Sequence, residues 1–380
     1  MRELDQILGD AVTAQDVPFV VAMVANSDGV TFSGASGDAA EGRAADENTV
    51  FRIFSMTKAI GSLAAMILID RGKLSMDTAV ADILPEWNDL QVLDGFDGDT
   101  PKMRAPTTQA TLRHLATHTS GLEYEFWNAD VPKYMELTGL PTILSGLKAS
   151  MMYPLTTDPG TRWGYGPGID WLGQMVEAID GRRIDAFCRE EIFGPLGMAG
   201  TAFEADGMDA RMSVVSIRGE DGTFAPLDLA PPPQPEVYGM GHALYSTAPD
   251  YLRFLRMVLN GGELDGNRVL SAAAMQAMLA DQMGGLTFRP MVSASPLSGD
   301  VDLFPGQKVT HSFAFLRNEA DVPGKRSAGS LGWAGVCNTH YWIDPARDVA
   351  AVIMTQSLPF VEPPMLRTYD AYERAVYAAL

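Results

Sequence analysis

The chain has 380 residues, 46% hydrophobic and 20% charged, the balance of a globular protein with a large buried core rather than of a disordered one. A net charge of −20 at pH 7 repels phosphate backbones and anionic lipid, which argues against nucleic-acid and membrane partners. Two cysteines far apart, Cys188 and Cys337, are weak grounds for a disulfide, and His114, His311 and His340 show no metal-ligand spacing.

In chain order, "MRELDQILGDAVTAQDVP" reads as a surface helix and not as a secretory leader, since it has no unbroken apolar core and no small-residue cleavage site. The run "SLAAMILI" is too short to span a bilayer, so the expected location is the cytoplasm. "PFVVAMVANSDGVTFSGASG" (18–37) is two β-rich runs about the turn "NSDG", a hairpin. Residues 50–72 carry apolar residues at helical spacing and end at Gly72, although "TVFRIF", just ahead of Ser55, is of β type. A short helix is expected at 110–118, and a longer one at 168–181, with Ile169, Leu172, Met175, Val176 and Ile179 on one face. Another opens at Pro249 and closes at Asn260-Gly261. The proline-rich stretch 229–241 is an extended loop.

The last 70 residues change character. Strands are expected at 311–320, 335–344 and 348–357, followed by a closing helix. With strands at both ends and helices between, the economical architecture is α/β (α+β): one antiparallel sheet built from both termini and flanked by helices. The expected division is a sheet domain from 1–75 and 300–380, with a mainly helical region at 76–299.

Ser55 and Lys58 are three apart at the start of the apolar helix, where their side chains share a face. A serine hydroxyl becomes a nucleophile when a neighbour removes its proton, and a lysine of lowered pKa can do that. The backbone N–H of Ser55 can also hold a developing oxyanion. Taken alone the spacing is commonplace: Ser145 and Lys148 repeat it, and an N-cap serine beside a snorkelling lysine explains it better.

The wider sequence changes that weighting. "FRIFSMTKAIGSLAAMILIDRGKL", "LRHLATHTSGL" and "GMGHALYSTAPDYLRFLRMVLNGG", in that order, resemble the serine β-lactamase and penicillin-binding-protein superfamily, and most closely the bacterial family VIII carboxylesterases, relatives of class C β-lactamases. The resemblance runs from about residue 15 to the C-terminus. It implies the serine β-lactamase fold, with Ser55 as nucleophile and Lys58 as its amine. It also implies a tyrosine, placed here at Tyr165 in "WGYGPG", and a triplet on an edge strand, placed at Trp333-Ala334-Gly335. Val336, after that triplet, would supply the second oxyanion N–H beside that of Ser55. Which of Lys58 and Tyr165 is the base stays open, although class C-like enzymes are usually assigned the tyrosine. His118 and Ser120 are read as a structural turn, and His242, which replaces a usual glycine, as a non-catalytic residue near the pocket.

Two departures bear on substrate. The lysine that holds a carboxylate in β-lactam and peptidoglycan enzymes is Trp333, and the asparagine of Tyr-x-Asn is Pro167, which has no side-chain donor or acceptor. Both favour a small neutral ester over an anionic amide. Tyr124, Phe126, Trp127, Trp163 and Trp333 are candidates to line an apolar pocket, and Pro231 to Pro235 to border its entrance. The expectation is therefore a serine carboxylesterase acting through an acyl-serine, with no metal or organic cofactor, a small-molecule ester as its partner, and oligomeric state left open. The rivals are an amide hydrolase of the β-lactamase or D-amino-acid amidase type, an acyltransferase to an acceptor other than water, and a binding protein that keeps the scaffold without chemistry.

Overall fold

The first two strands, β1 (Phe19–Ala25) and β2 (Val30–Ala40), follow helix α1 (Arg2–Thr13) and form the expected hairpin, with Val21 opposite Ala35. The computed structural model describes residues 2–380. After the short β3 (Arg43–Ala44), three helices supply much of the main core: α2 (Thr57–Asp70), α3 (Gly168–Asp180) and α4 (Ala248–Leu259). The chain then returns to the sheet through β4 (Val309–His311), β5 (Leu316–Asn318), β6 (Leu331–Gly335), β7 (Thr339–Asp344) and β8 (Val349–Met354), and closes with α5 (Pro363–Ala378). The eight strands run in the order β4-β5-β6-β7-β8-β1-β2-β3, antiparallel throughout, so the two ends of the chain meet where β8 pairs with β1.

Antiparallel strands with one wet face alternate apolar and polar residues. β1 (FVVAMVA) and β8 (VAAVIM) do not alternate, and every residue of both is buried, because helices cover both faces. Val20, Ala22 and Val24 of β1, with Ala351 and Ile353 of β8, pack under α1 and α5 on one side. Val21, Met23, Val352 and Met354 face the opposite way, into the main core with α2 and α4. Helix α2 is buried from Thr57 to Leu68 on all sides, as expected of a helix that is apolar all round. Among the described residues no helix is long and apolar enough to cross a membrane. Both cysteines are free and buried.

Three expected elements are redrawn. The run 311–320 is a hairpin, not one strand: Ser312 Oγ accepts the N–H groups of Ala314 and Phe315 (3.3 and 3.0 Å) and folds the chain back. The run 335–344 starts inside a turn, where Asn338 takes a φ of 61° and its N–H bonds the Gly335 carbonyl at 2.9 Å; asparagine tolerates that left-handed backbone. The expected helix 50–72 begins only at Thr57, after a strand at Phe51–Arg52 and one 3₁₀ turn, Phe54–Met56. β6 is also not the outermost strand, since β5 and β4 lie beyond it. However, β5 pairs only with Leu331 and Gly332, so Trp333 to Gly335 have an open edge on that side.

Candidate active site

Ser55 owes its position to a turn that is held from several directions. The strand Phe51–Arg52 pairs with Tyr245–Ser246, and the Ile53 N–H bonds the Leu244 carbonyl at 3.1 Å. Phe54 then adopts a φ of 40°, a left-handed backbone that L-residues with a Cβ disfavour. Its ring is buried against Val215, Cys337 and Leu358, packing that holds the conformation. The chain is thereby reversed into the 3₁₀ turn that carries Ser55, one turn ahead of α2. Behind it, the Tyr251 hydroxyl donates to the Met56 carbonyl (2.9 Å), and Thr57 Oγ1 accepts the Leu244 N–H (3.2 Å).

Lys58, in the first turn of α2, is 4% exposed. Its ammonium donates to Ser55 Oγ at 3.2 Å, to the Tyr124 hydroxyl at 3.0 Å and to the Gly241 carbonyl at 2.7 Å, which uses all three of its N–H bonds. It also lies 4.8 Å from the centre of the Tyr165 ring and 5.0 Å from that of Tyr124. Burial disfavours the charged amine and brings its pKa down to about 7, against the opposing pull of the nearby Asp170 carboxylate.

Tyr165, just before α3, is 4% exposed. Its hydroxyl accepts the Trp333 indole N–H at 3.0 Å. Burial raises its pKa; contacts with Ser55 and Trp333 pull the other way without cancelling the rise. The Tyr165 N-terminal neighbours run beside Tyr124, whose backbone N–H bonds the Tyr165 carbonyl at 3.0 Å. His118, with a φ of 57°, packs its ring 4.8 Å from that of Tyr165, and burial holds it neutral, so the turn expected at "HTSGL" backs the phenol.

Beside Ser55 opens a cleft of about 570 Å³, its mouth included. Tyr124, Phe126, Trp127, Tyr165, His242 and Val336 line it as expected, joined by Phe54, Ile143, Leu144, Leu229, Leu297 and Leu358. None of its lining residues is Asp, Glu, Lys or Arg. Gly335 and Trp333, expected at the substrate, are not among the residues that line it. A Cβ on Gly335 would sit 2.3 Å from the Ile53 carbonyl, so glycine there lets the end of β6 close on the nucleophile turn. Trp163 lines an adjoining hollow with Trp127 and Tyr165. Of the proline loop, Leu229 reaches the cleft, while Pro232 and Pro235 pack over Gly146. Ser145 and Lys148 lie on two separate 3₁₀ turns, and Lys148 is exposed and pairs with Glu86 at 3.4 Å.

Two participants were not read from the sequence. One is the Gly241 carbonyl. The other is Asp170, buried in the first turn of α3, whose Oδ1 accepts the Gly241 N–H at 3.0 Å. An acid inside the otherwise apolar "GIDWLG" was the signal available. Among the described residues no group of three or more His, Cys, Asp or Glu could hold a metal. A larger hollow, about 1030 Å³, lies by α5 and the β6 edge; its Lys325 and Arg326 are already paired with Asp370 and Glu373, and it contains no serine–amine pair.

Comparison with known proteins agrees with this geometry. The sequence matches the Beta-lactamase family over residues 4–375. The chain belongs to that family. Among its relatives, the lovastatin esterase of Penicillium rubens is 30% identical, over 81% of this chain and 80% of that one. The fold is shared with simvastatin synthase (LovD) from Aspergillus terreus, with a TM-score of 0.84 at 24% identity over 99% of this chain and 97% of the other. It is also shared with EstCE1, a hydrolase with promiscuous acyltransferase activity, with a TM-score of 0.78 at 21% identity over 98% of both chains. The architecture described here is therefore shared with simvastatin synthase and with EstCE1.

Proposed function

We propose that the protein is a serine carboxylesterase that cleaves small neutral esters through an acyl-Ser55 intermediate. The observation that carries this reading is the Lys58 amine, buried and 3.2 Å from Ser55 Oγ, where burial brings its pKa down to about 7. When neutral, Lys58 has a lone pair for the Ser55 proton. Tyr165 is a poorer base, because its burial keeps the phenol protonated. Lys58 therefore accepts the proton as Ser55 Oγ adds to the ester carbonyl. The backbone N–H groups of Ser55 and Val336 hold the oxyanion; one such donor is typically worth about 3 kcal/mol. The proton then passes from Lys58, with the Tyr165 hydroxyl as relay, to the leaving alcohol, and water releases the acid.

The uncharged cleft wall, Trp333 in the place of a lysine and Pro167 in that of an asparagine support a neutral ester over an anionic amide. Transfer of the acyl group to an alcohol is the second reading, favoured by the fold shared with simvastatin synthase and by the transferase activity named for EstCE1. It uses the same intermediate and differs only in the acceptor.

The test is to mix the protein with p-nitrophenyl butyrate and, separately, with a fluorophosphonate, and to read both product release and intact mass. Turnover and a single adduct on Ser55, both lost in Ser55→Ala and kept in Ser145→Ala, are expected. Absence of any adduct would remove the reading. Faster product release on adding acceptor alcohols, with the new ester formed, would select acyl transfer.

A further inference from the structure

We infer that His242, backed by Asp170, is the base for the second half of the reaction, activating the water that attacks acyl-Ser55. This rests on the acyl-Ser55 reading and assigns the step that Lys58 and Tyr165 leave open.

The geometry begins at Asp170. Its carboxylate is 1% exposed, and only Oδ1 finds a hydrogen bond, from the Gly241 N–H; Oδ2 has no partner. A buried carboxylate with an idle oxygen is costly unless a neighbouring group uses its charge. Two groups lie near it. Lys58 is reached through Gly241, whose carbonyl accepts the amine while its N–H donates to Asp170. The other is His242, the next residue, whose Nδ1 is 3.7 Å from Asp170 Oδ1. That Nδ1 is itself buried and without a partner. The unpartnered Nδ1 faces an oxygen that accepts only one hydrogen bond, from the Gly241 N–H, and the two need to close by only about 1 Å to make an ordinary hydrogen bond. Catalytic hydrogen bonds are often long before substrate binds and shorten in the complex.

His242 is also one of the residues lining the cleft that contains Ser55 and Tyr165. The ring is folded over Gly239, where a Cβ would sit 2.2 Å from its Cε1, so glycine at 239 gives the ring room to lie in that place. Burial lowers the His242 pKa and keeps the imidazole neutral, the form that accepts a proton. A proton on Nδ1, turned to Asp170, leaves the lone pair on Nε2. The carboxylate then stabilises the imidazolium that forms.

The step balances without a further reagent. The water oxygen adds to the acyl carbon while one water proton moves to His242 Nε2. As the tetrahedral adduct collapses, the bond from the acyl carbon to Ser55 Oγ breaks, and Oγ takes that proton from the imidazolium. Serine, neutral histidine and the carboxylic acid are the products.

Pre-steady-state release of p-nitrophenolate separates the two halves. His242→Asn should keep a burst of about one equivalent at the wild-type rate, then turn over 10²-fold or more slowly, in the usual range for loss of a general base. Acyl-Ser55 should accumulate in its intact mass. Hydroxylamine attacks an ester without needing a base, so it should restore turnover in His242→Asn far more than in the wild type. Asp170→Asn should slow the same phase by a smaller factor. Wild-type turnover in His242→Asn, with no acyl-enzyme, would reduce His242 to part of the wall and overturn the proposal. So would a burst rate that falls in step with the steady rate, or no hydroxylamine rescue in a folded variant. Failure of the wild-type chain to label at Ser55 is a separate result, and it would remove the esterase reading itself.

Discussion

Lys58 concentrates most of the site's chemistry in one side chain. A lysine in water keeps its proton far above neutrality, and this one loses it near pH 7 because burial penalises the ammonium. Its three acceptors explain why it is tolerated at all, since each N–H that left water has found an oxygen. A base must be deprotonated, so kcat/KM for a neutral p-nitrophenyl ester should rise through an apparent pKa of about 7, inactive below and active above. His242 does not account for that limb, because its own pKa is pushed below the usual histidine value. Lys58→Arg, whose guanidinium stays protonated, should lose the limb and at least about 10²-fold in rate, a loss that no pH restores. A wild-type profile flat across neutrality would contradict Lys58 as the base. At this scale the sequence showed Ser55 and Lys58 because three-residue spacing is local. It did not show that Trp333, expected at the substrate, spends its indole N–H on the Tyr165 hydroxyl.

At the scale of elements, the site lies where a strand end meets a helix start. β6 ends at Gly335 against the Ile53 carbonyl, and the turn after it brings Val336 to the cleft. Gly335→Ala would force a methyl to 2.3 Å from that carbonyl and 2.4 Å from Thr339 Oγ1, so β6 must move away from the nucleophile turn. The expected outcome is a fall in kcat of about 10²-fold, the usual loss for one misplaced oxyanion donor, with KM little changed. Steady-state kinetics on a variant whose circular dichroism melt stays cooperative would check it; an unchanged kcat would show that the β6 end does not set the oxyanion donor. The paired runs at 311–320 and 335–344 were legible as β structure but not as hairpins, because their reversals depend on one serine side chain and one left-handed asparagine inside runs of strand-forming residues. The helix boundary moved for a similar reason. The left-handed Phe54 and the pairing of Phe51–Arg52 with Tyr245–Ser246, which set that boundary, both rest on contacts with distant parts of the chain.

Across the whole molecule, strands from both ends of the chain close one sheet, and the proposed catalytic groups gather on its α2 side. The charge of −20 sets the long-range field that substrates meet. Raising ionic strength from about 0.01 to 0.15 M shortens the screening length from about 30 to 8 Å. An ester with a carboxylate on its alcohol portion should therefore gain several-fold in kcat/KM with salt, while a neutral ester of equal size stays level. A fall with salt for the anionic ester would show that local cations, such as Arg162 and Arg289 beside the neighbouring hollow, outweigh the global charge.

The sequence by itself determined the serine–amine pair, the strands at both ends and the absence of a lysine at position 333, all of which come from short spacings and residue identity. Only the tertiary structure decided what surrounds the amine. Tyr124 and Gly241 reach Lys58 across 66 and 183 residues of chain, and Asp170 joins them through the N–H of the same Gly241 residue. Periodicity states which face a residue occupies on its own element. Which faces of distant elements meet, and so which buried charges compensate one another, is settled only when the sheet closes and the helices pack on it.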